Sequence, residues 1–550
     1  GLHVYEFFEL TWQHPWQYNP AIIERDFDLL NKMGVNCISF GLNHGGPMRD
    51  VAMRAEKHGI KLHIATGGTH PCALNFDTIK ETVGSFGIAR SSAVFSYDLG
   101  WEVHVGGYES RQQYNEKWTR WIRDNYGSLD NAFEDWGYTP PADRRDPALV
   151  DGPADAQIAG REPVSLVYIA AYRRFMDEVI SKGYQYSVRE LRKYDPLTLM
   201  GARSGYGGTG AEGVAQVMPF DLKAGVRHLD YTAPEAYNIG ADRPGFLRGH
   251  LNNVYGRFVS KGKPVMWPEY GSPLFYSGGG INRDNYRPGA GYSRLSSEAA
   301  YYAGMADFII ETRANGALGW WFPGGYRVDE QSDFGVTNHD GTLRPAGAMI
   351  MEKSPLIVNG FDSEKREQEV FEIDRDRYAS GYAGLFTEYA SRIAESYMSG
   401  REPALKTPAT GTTSATVPLT AVGNTPFRQG KNPLKYLSSE FDYVRAGGSE
   451  LIESGSLQLP RDKAVRIECS VANTDEPLWL AAPGKGQISL AVTADGATAY
   501  YPLKRDVPMF ESAVFKNITV KGRPDEIVLR MHCEGVGGFG ETVRLRLTYK

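Results

Sequence analysis

Short apolar runs alternate with helical periods through the first 350 residues of the chain. "HVYEFFEL" (3–10) reads as a strand, and "NPAIIERDFDLLNKMG" as a helix that Asn19 caps, Pro20 opens and Gly34 stops. "VNCISFG" (35–41) is a second strand, followed by a helix ending at Gly59. Strands three and four are "IKLHIATGG" (60–68) and "SAVFSYDL" (92–99), after which a long helical insertion runs from about Arg111 to Tyr194. Strands five to seven are "LTLMGAR" (197–203), "LDYTAPEAY" (229–237) and "KPVMWPEYG" (263–271). A helix over 296–316 then leads into "ALGWWFP" (317–323), the eighth. Near-continuous apolar strands separated by helices indicate a parallel sheet. Eight such units predict an α/β fold, a (β/α)8 TIM barrel over 1–354. An open doubly wound sheet is the alternative. It calls for a glycine-rich turn after strand one, where this chain has "ELTWQHPW".

The texture changes near Pro355. Residues 355–445 read as a small α/β domain. From 446 to 550 helices stop, and runs such as "AVRIECSVAN", "EIVLRMHCEG" and "VRLRLTYK" alternate apolar with polar residues, the pattern of a β-sandwich.

Composition narrows the function classes. A net charge of −6 without a Lys/Arg cluster argues against a nucleic-acid partner. No run approaches the roughly 20 apolar residues of a membrane span. The 32 Tyr and 10 Trp supply flat faces with polar handles, which suit sugars and large cores equally. The four cysteines (Cys37, Cys72, Cys469, Cys533) lack metal-site spacing, so no metal is expected; Cys469 and Cys533 are the candidates for a disulfide in the last domain. The chain enters a strand directly after Gly1, which fits removal of a leader. This leaves the compartment open, with a periplasmic or secreted location favoured over a cytoplasmic one.

In a barrel, functional side chains sit at the C-terminal strand ends. Those ends hold Glu9 and Trp12, Asn43 and His44, His70, then Asp98, Trp101, Glu102 and His104, then Arg203, Glu235 and Tyr237, Glu269 and Tyr270, and Trp320 and Trp321. Carboxylates and aromatics dominate. Carboxylates on opposed strands are what glycoside hydrolysis requires, one protonated to serve the leaving oxygen and one ionised to attack the anomeric carbon. Trp12, His44, His70, His104 and Arg203 also fit ordinary loop or supporting roles. By strand alternation Trp320 and Trp321 face opposite ways, so one of them packs the barrel. "SGGG" (277–280) reads as a loop over the cleft; cradling a phosphate is its other reading, and would suit a barrel isomerase.

"KPVMWPEYG" resembles the nucleophile strand of the clan A retaining glycosidases, and "DLGWEVH" stands where that clan has its acid/base. "KWTRWIRDNYGSLDNAFEDWG" (117–137) and the succession of domains resemble the family 42 β-galactosidases and their relatives. The resemblance implies that Glu269 is the nucleophile and Glu102 the acid/base. It implies that Tyr237 hydrogen-bonds the nucleophile, and that Trp320 or Trp321 floors the sugar site. No cofactor is implied; the partner is an oligo- or polysaccharide, and relatives suggest a homo-oligomer, trimer or dimer. One departure stands out. The clan has Asn before its acid/base, holding the sugar's 2-hydroxyl, and this chain has Trp101. Asp98, Arg203 or His104 would then take over that contact, or the substrate differs at C2, or the protein binds glycans without cutting them. Glu235, where a His or Asn is expected, adds a third carboxylate. The function implied is a retaining exo-β-galactosidase-like enzyme of polysaccharide breakdown. A β-mannosidase, an endo-glycanase and a non-hydrolytic glycan-binding protein are the alternatives.

Overall fold

A computed structural model of the chain describes residues 4–8, 18–42, 45–160, 163–205, 215, 217–236, 239–240, 242–276, 291–325, 332–360, 365–418, 434–460 and 464–550. Trp12, Tyr237, Glu9, Asn43, His44 and the "SGGG" run lie outside them. The chain divides into two compact units, one of residues 1–107, 179–371 and 380–405, the other of 108–178, 372–379 and 406–550.

The first unit is built on parallel strands, and local chemistry sets their spacing. The helix Pro20–Met33 starts where the Asn19 side chain accepts from the Ala21 N–H at 3.0 Å. It stops at Gly34, whose φ of 72° is the left-handed value that suits glycine. Ile23, Phe27, Leu30 and Met33 bury one face of it, the i, i+4, i+7 stripe expected of a helix on a sheet. Seven strands pair in the spatial order Leu199–Gly201, Val94–Asp98, Lys61–Ala65, Cys37–Gly41, Val4–Phe8, Gly316–Gly319, Met266–Tyr270, parallel throughout. The expected sixth strand is reduced to two parallel bridges, Arg203 with Ala233 and Thr232 with Val265. These bridges link the two outermost members of the row. Pro234 follows and has no N–H to give, so the pairing is interrupted there.

The second unit joins the inserted helices to the C-terminal strands. Trp118 and Trp136, both fully buried, stack with ring centroids 5.8 Å apart among Tyr168, Tyr172 and Phe175. Arg530, late in the chain, donates to the Asn125 side chain at 2.9 Å, and Arg544 pairs with Asp124. The C-terminal strands form a four-stranded and a five-stranded sheet. The strand Glu526–Cys533 buries every second residue, and Trp479 and Phe539 meet edge-on inside. Cys469 and Cys533 are buried there as free thiols, so no disulfide joins them. Among the described residues no helix is long and apolar enough to cross a membrane.

One buried group makes stability depend on pH. Glu298, on the helix Gly291–Thr312, is 1% exposed, and among the described residues neither carboxyl oxygen has a hydrogen-bond partner. Burial pushes its pKa from 4.5 up to about 8; Arg344 opposes the shift and Asp333 adds to it. The unfolded chain therefore releases a proton between those values that the folded chain retains, and stability falls as pH rises through that window. Glu298→Gln is expected to leave stability unchanged at pH 4 and to raise it by about 1–3 kcal/mol at pH 8. Denaturant melts at the two pH values check this. An equal gap at both would contradict it.

Candidate active site

The strand Val94–Asp98 delivers the first part of the site. Its last residue, Asp98, is 2% exposed. Asp98 Oδ1 accepts from the Arg203 backbone N–H at 3.1 Å and the Gly100 N–H at 3.4 Å, while Oδ2 accepts from Arg203 Nε at 2.6 Å. The turn that follows is tight, since a Cβ on Gly100 would stand 2.3 Å from the Val103 side chain. Glu102 comes out of this turn at φ 44°, a left-handed backbone that costs a non-glycine residue roughly 1–2 kcal/mol. Residues held so cluster at functional sites.

Across from it, the strand Met266–Tyr270 carries Glu269. Pro268 withholds an N–H, and the register slips between Trp267 and Tyr270. Such a bulge re-aims the side chain beside it. Glu269 is 4% exposed and accepts from Arg203 Nη1 at 2.7 Å. The Ala236 N–H donates to the Glu269 carbonyl at 2.9 Å, which fixes the 235–236 segment alongside this strand. Carboxylate oxygens of Glu102, Glu235 and Glu269 all lie within 4.8 Å of one another.

Arg203 is the cation at the centre. It is fully buried, bound to Asp98 and Glu269, and its guanidinium carbon lies 3.7 Å from the Trp101 ring centroid. Burial alone would lower its pKa, but the charges of Asp98 and then Glu269 outweigh burial and hold it above the usual value. Stacking on the indole adds a cation–π attraction, worth about 2 kcal/mol when both partners are dry. Sequence reasoning placed Arg203 on the rim without seeing this bridging position. The signal was there, an arginine closing an apolar strand among three carboxylate-tipped ones.

Trp101 meets Trp320 edge-on at 5.5 Å. Trp320 and Trp321, each 5% exposed, belong to one apolar cluster with Ala65, Leu318 and Phe334. The strand ends at Gly319, so strand alternation does not extend to this pair. His70 caps the turn Pro71–Ala73, its Nδ1 accepting from the Cys72 N–H at 3.2 Å. His104 is tied through its backbone N–H to the Thr69 carbonyl at 2.9 Å. Asp98 and Arg203, two of the three residues considered for the sugar's 2-hydroxyl, are already bound to each other.

No protein-family model and no curated protein matches the sequence. Solved structures do match the fold. A catalytic mutant of a GH42 β-galactosidase from G. stearothermophilus has a TM-score of 0.53 at 12% identity, over 99% of this chain and 85% of that one. A β-galactosidase from Bacillus circulans sp. alkalophilus gives 0.52 at 12% identity, over 99% and 86%. One from the psychrophilic Marinomonas ef1 gives 0.52 at 10%, over 99% and 88%. The chain is thus similar in fold, along nearly its whole length, to β-galactosidases of glycoside hydrolase family 42.

Proposed function

We propose that the chain is a retaining glycoside hydrolase that works by double displacement on β-linked hexosides, with Glu269 as nucleophile and Glu102 as acid/base. In this reading residues 1–354 form a (β/α)8 barrel that carries the chemistry, supported by the seven parallel strands and the two bridges through Thr232 and Ala233; 355–445 and 446–550 are accessory domains. The observation that carries the function is the spacing of the carboxylates. Oxygens of Glu102 and Glu269 approach within 4.8 Å. Retaining pairs stand about 5–5.5 Å apart, whereas inverting pairs need roughly 6.5–9.5 Å to admit a water. Arg203 orients Glu269 through the 2.7 Å bond to one oxygen. Glu102 protonates the leaving oxygen as Glu269 attacks the anomeric carbon; Glu102 then takes a proton from the water that releases the sugar. Trp101 and Trp320 provide apolar ring faces of the kind that pack against a sugar's C–H face. Fold similarity to β-galactosidases favours a β-galactoside, released singly from a chain end.

The test is a panel of 4-nitrophenyl β-hexosides and plant and algal oligosaccharides. The expected result is turnover of one β-hexoside, with monosaccharide as the first product. Oligosaccharides as first products would make the enzyme endo-acting. Sugar binding without hydrolysis of any member would make it a glycan-binding protein.

A further inference from the structure

The third carboxylate is the least explained group in the molecule. Glu235 is fully buried, and among the described residues neither of its oxygens has a hydrogen-bond partner. Burying a polar group without a partner costs stability, and burying an ionised one costs more. The groups facing it are Glu269 and Glu102, each with an oxygen within 4.8 Å, together with Arg203 and Asp98. Arg203 offers no relief. Its Nε and Nη1 are spent on Asp98 and Glu269, and its buried Nη2 has no hydrogen-bond partner among the described residues. Burial, then the charges of Glu269 and Glu102, raise the Glu235 pKa well above the usual carboxyl range. A neutral carboxyl has one donor and one acceptor to offer, and neither meets a partner among the described residues.

Geometry says what would fill them. Glu269 must reach the anomeric carbon, and Glu102 the leaving oxygen bonded to it. A group within 4.8 Å of an oxygen of each stands beside that carbon. Its remaining neighbours are the ring oxygen, which has no proton, and C2, whose hydroxyl both gives and accepts. Trp101, next to Glu102 in sequence, is stacked on Arg203 and brings an indole in place of an amide.

We propose that Glu235 is the specificity-determining residue of the sugar site: it keeps its proton in the empty site and pairs as a neutral acid with the C2 hydroxyl of the sugar under attack. This selects hexosides with a free 2-hydroxyl. The proposal rests on the hydrolase reading for the hydroxyl, but not for the proton.

Two measurements test it. The infrared difference spectrum of wild type minus Glu235→Gln at pH 7 should show one protonated carboxyl band; an ionised carboxylate band instead overturns the neutral acid. Kinetics use the 4-nitrophenyl β-hexoside turned over fastest in the panel and its 2-deoxy counterpart. Glu235→Leu should lower kcat/KM on the first by roughly tenfold to a hundredfold, and on the 2-deoxy substrate by less than about threefold. Glu235→Gln, which keeps a donor and an acceptor, should stay within about fivefold of wild type on both. Equal losses on both substrates, or a Gln variant as impaired as Leu, overturn the C2 assignment. Both variants remove an unpartnered buried carboxyl, so their melting temperatures should equal or exceed that of wild type; a fall contradicts the proposal. Wild-type protein inert on the whole panel overturns the hydroxyl assignment along with the hydrolase reading, and the infrared band still locates the proton.

Discussion

Glu269→Gln is expected to lower turnover of the best β-hexoside by roughly a thousandfold or more. The amide is nearly isosteric but too weak a nucleophile to form the glycosyl-enzyme. The loss should be similar for every leaving group, because bond formation at the anomeric carbon is impaired whatever departs. Glu102→Gln should behave differently. A 2,4-dinitrophenolate leaves without protonation, so sugar–enzyme bond formation on such a substrate should suffer little, while poorer leaving groups lose roughly a hundredfold or more. Steady-state kinetics across a series of aryl leaving groups checks both. If the two variants respond alike to the leaving group, the roles assigned to Glu102 and Glu269 are wrong. Folding should survive in the Glu269 variant, since Arg203 retains Asp98 as a partner at 2.6 Å.

Arg203→Met has the second large effect, on stability and activity together. Arg203 is fully buried between Asp98 and Glu269. Removing one partner from a buried ionic group leaves uncompensated charge, at a cost of about 3–5 kcal/mol. Here Asp98 would lose both a charge partner and its shortest hydrogen bond. A carboxylate deprived of a nearby cation holds its proton to higher pH. The acid limb of the pH–rate profile should therefore move upward, and the penalty on stability should shrink as pH falls and the stranded carboxylates protonate. Thermal melts at pH 5 and 8, with pH–rate profiles, check both. An unchanged melting temperature would mean that Arg203 is not the hub of the site.

Much of the architecture was legible because it rests on local chemistry. Asn19, Pro20 and Gly34 mark the ends of one helix through a cap, a fixed φ and a left-handed stop. The alternation in Glu526–Cys533 follows from one face being buried. Glu102 and Glu269 were visible as charged residues closing apolar runs on two distant strands, and the structure brings them together. What sequence could not give depends on contacts between remote segments. Strand six shrank to two bridges, with Pro234 interrupting the pairing, although its apolar run looked like its neighbours. The grouping of 108–178 with the C-terminal sheets rests on pairs such as Arg530 with Asn125, 405 positions apart, which no local pattern announces. The bridging of Arg203, and the lack of a partner for Glu235 among the described residues, follow from three-dimensional neighbours. The local hint for Glu235 was a glutamate inside "YTAPEA" (231–236), all of whose residues are buried.

The central claim is that Glu102 and Glu269 cleave β-linked hexosides with retention. Proton NMR of the first-formed product, recorded before the released sugar mutarotates, tests it most directly. Two displacements at the anomeric carbon restore its configuration, so the account predicts that the β-anomer appears first and the α-anomer grows in later. First release of the α-anomer would mean a single displacement by water, and would contradict the account.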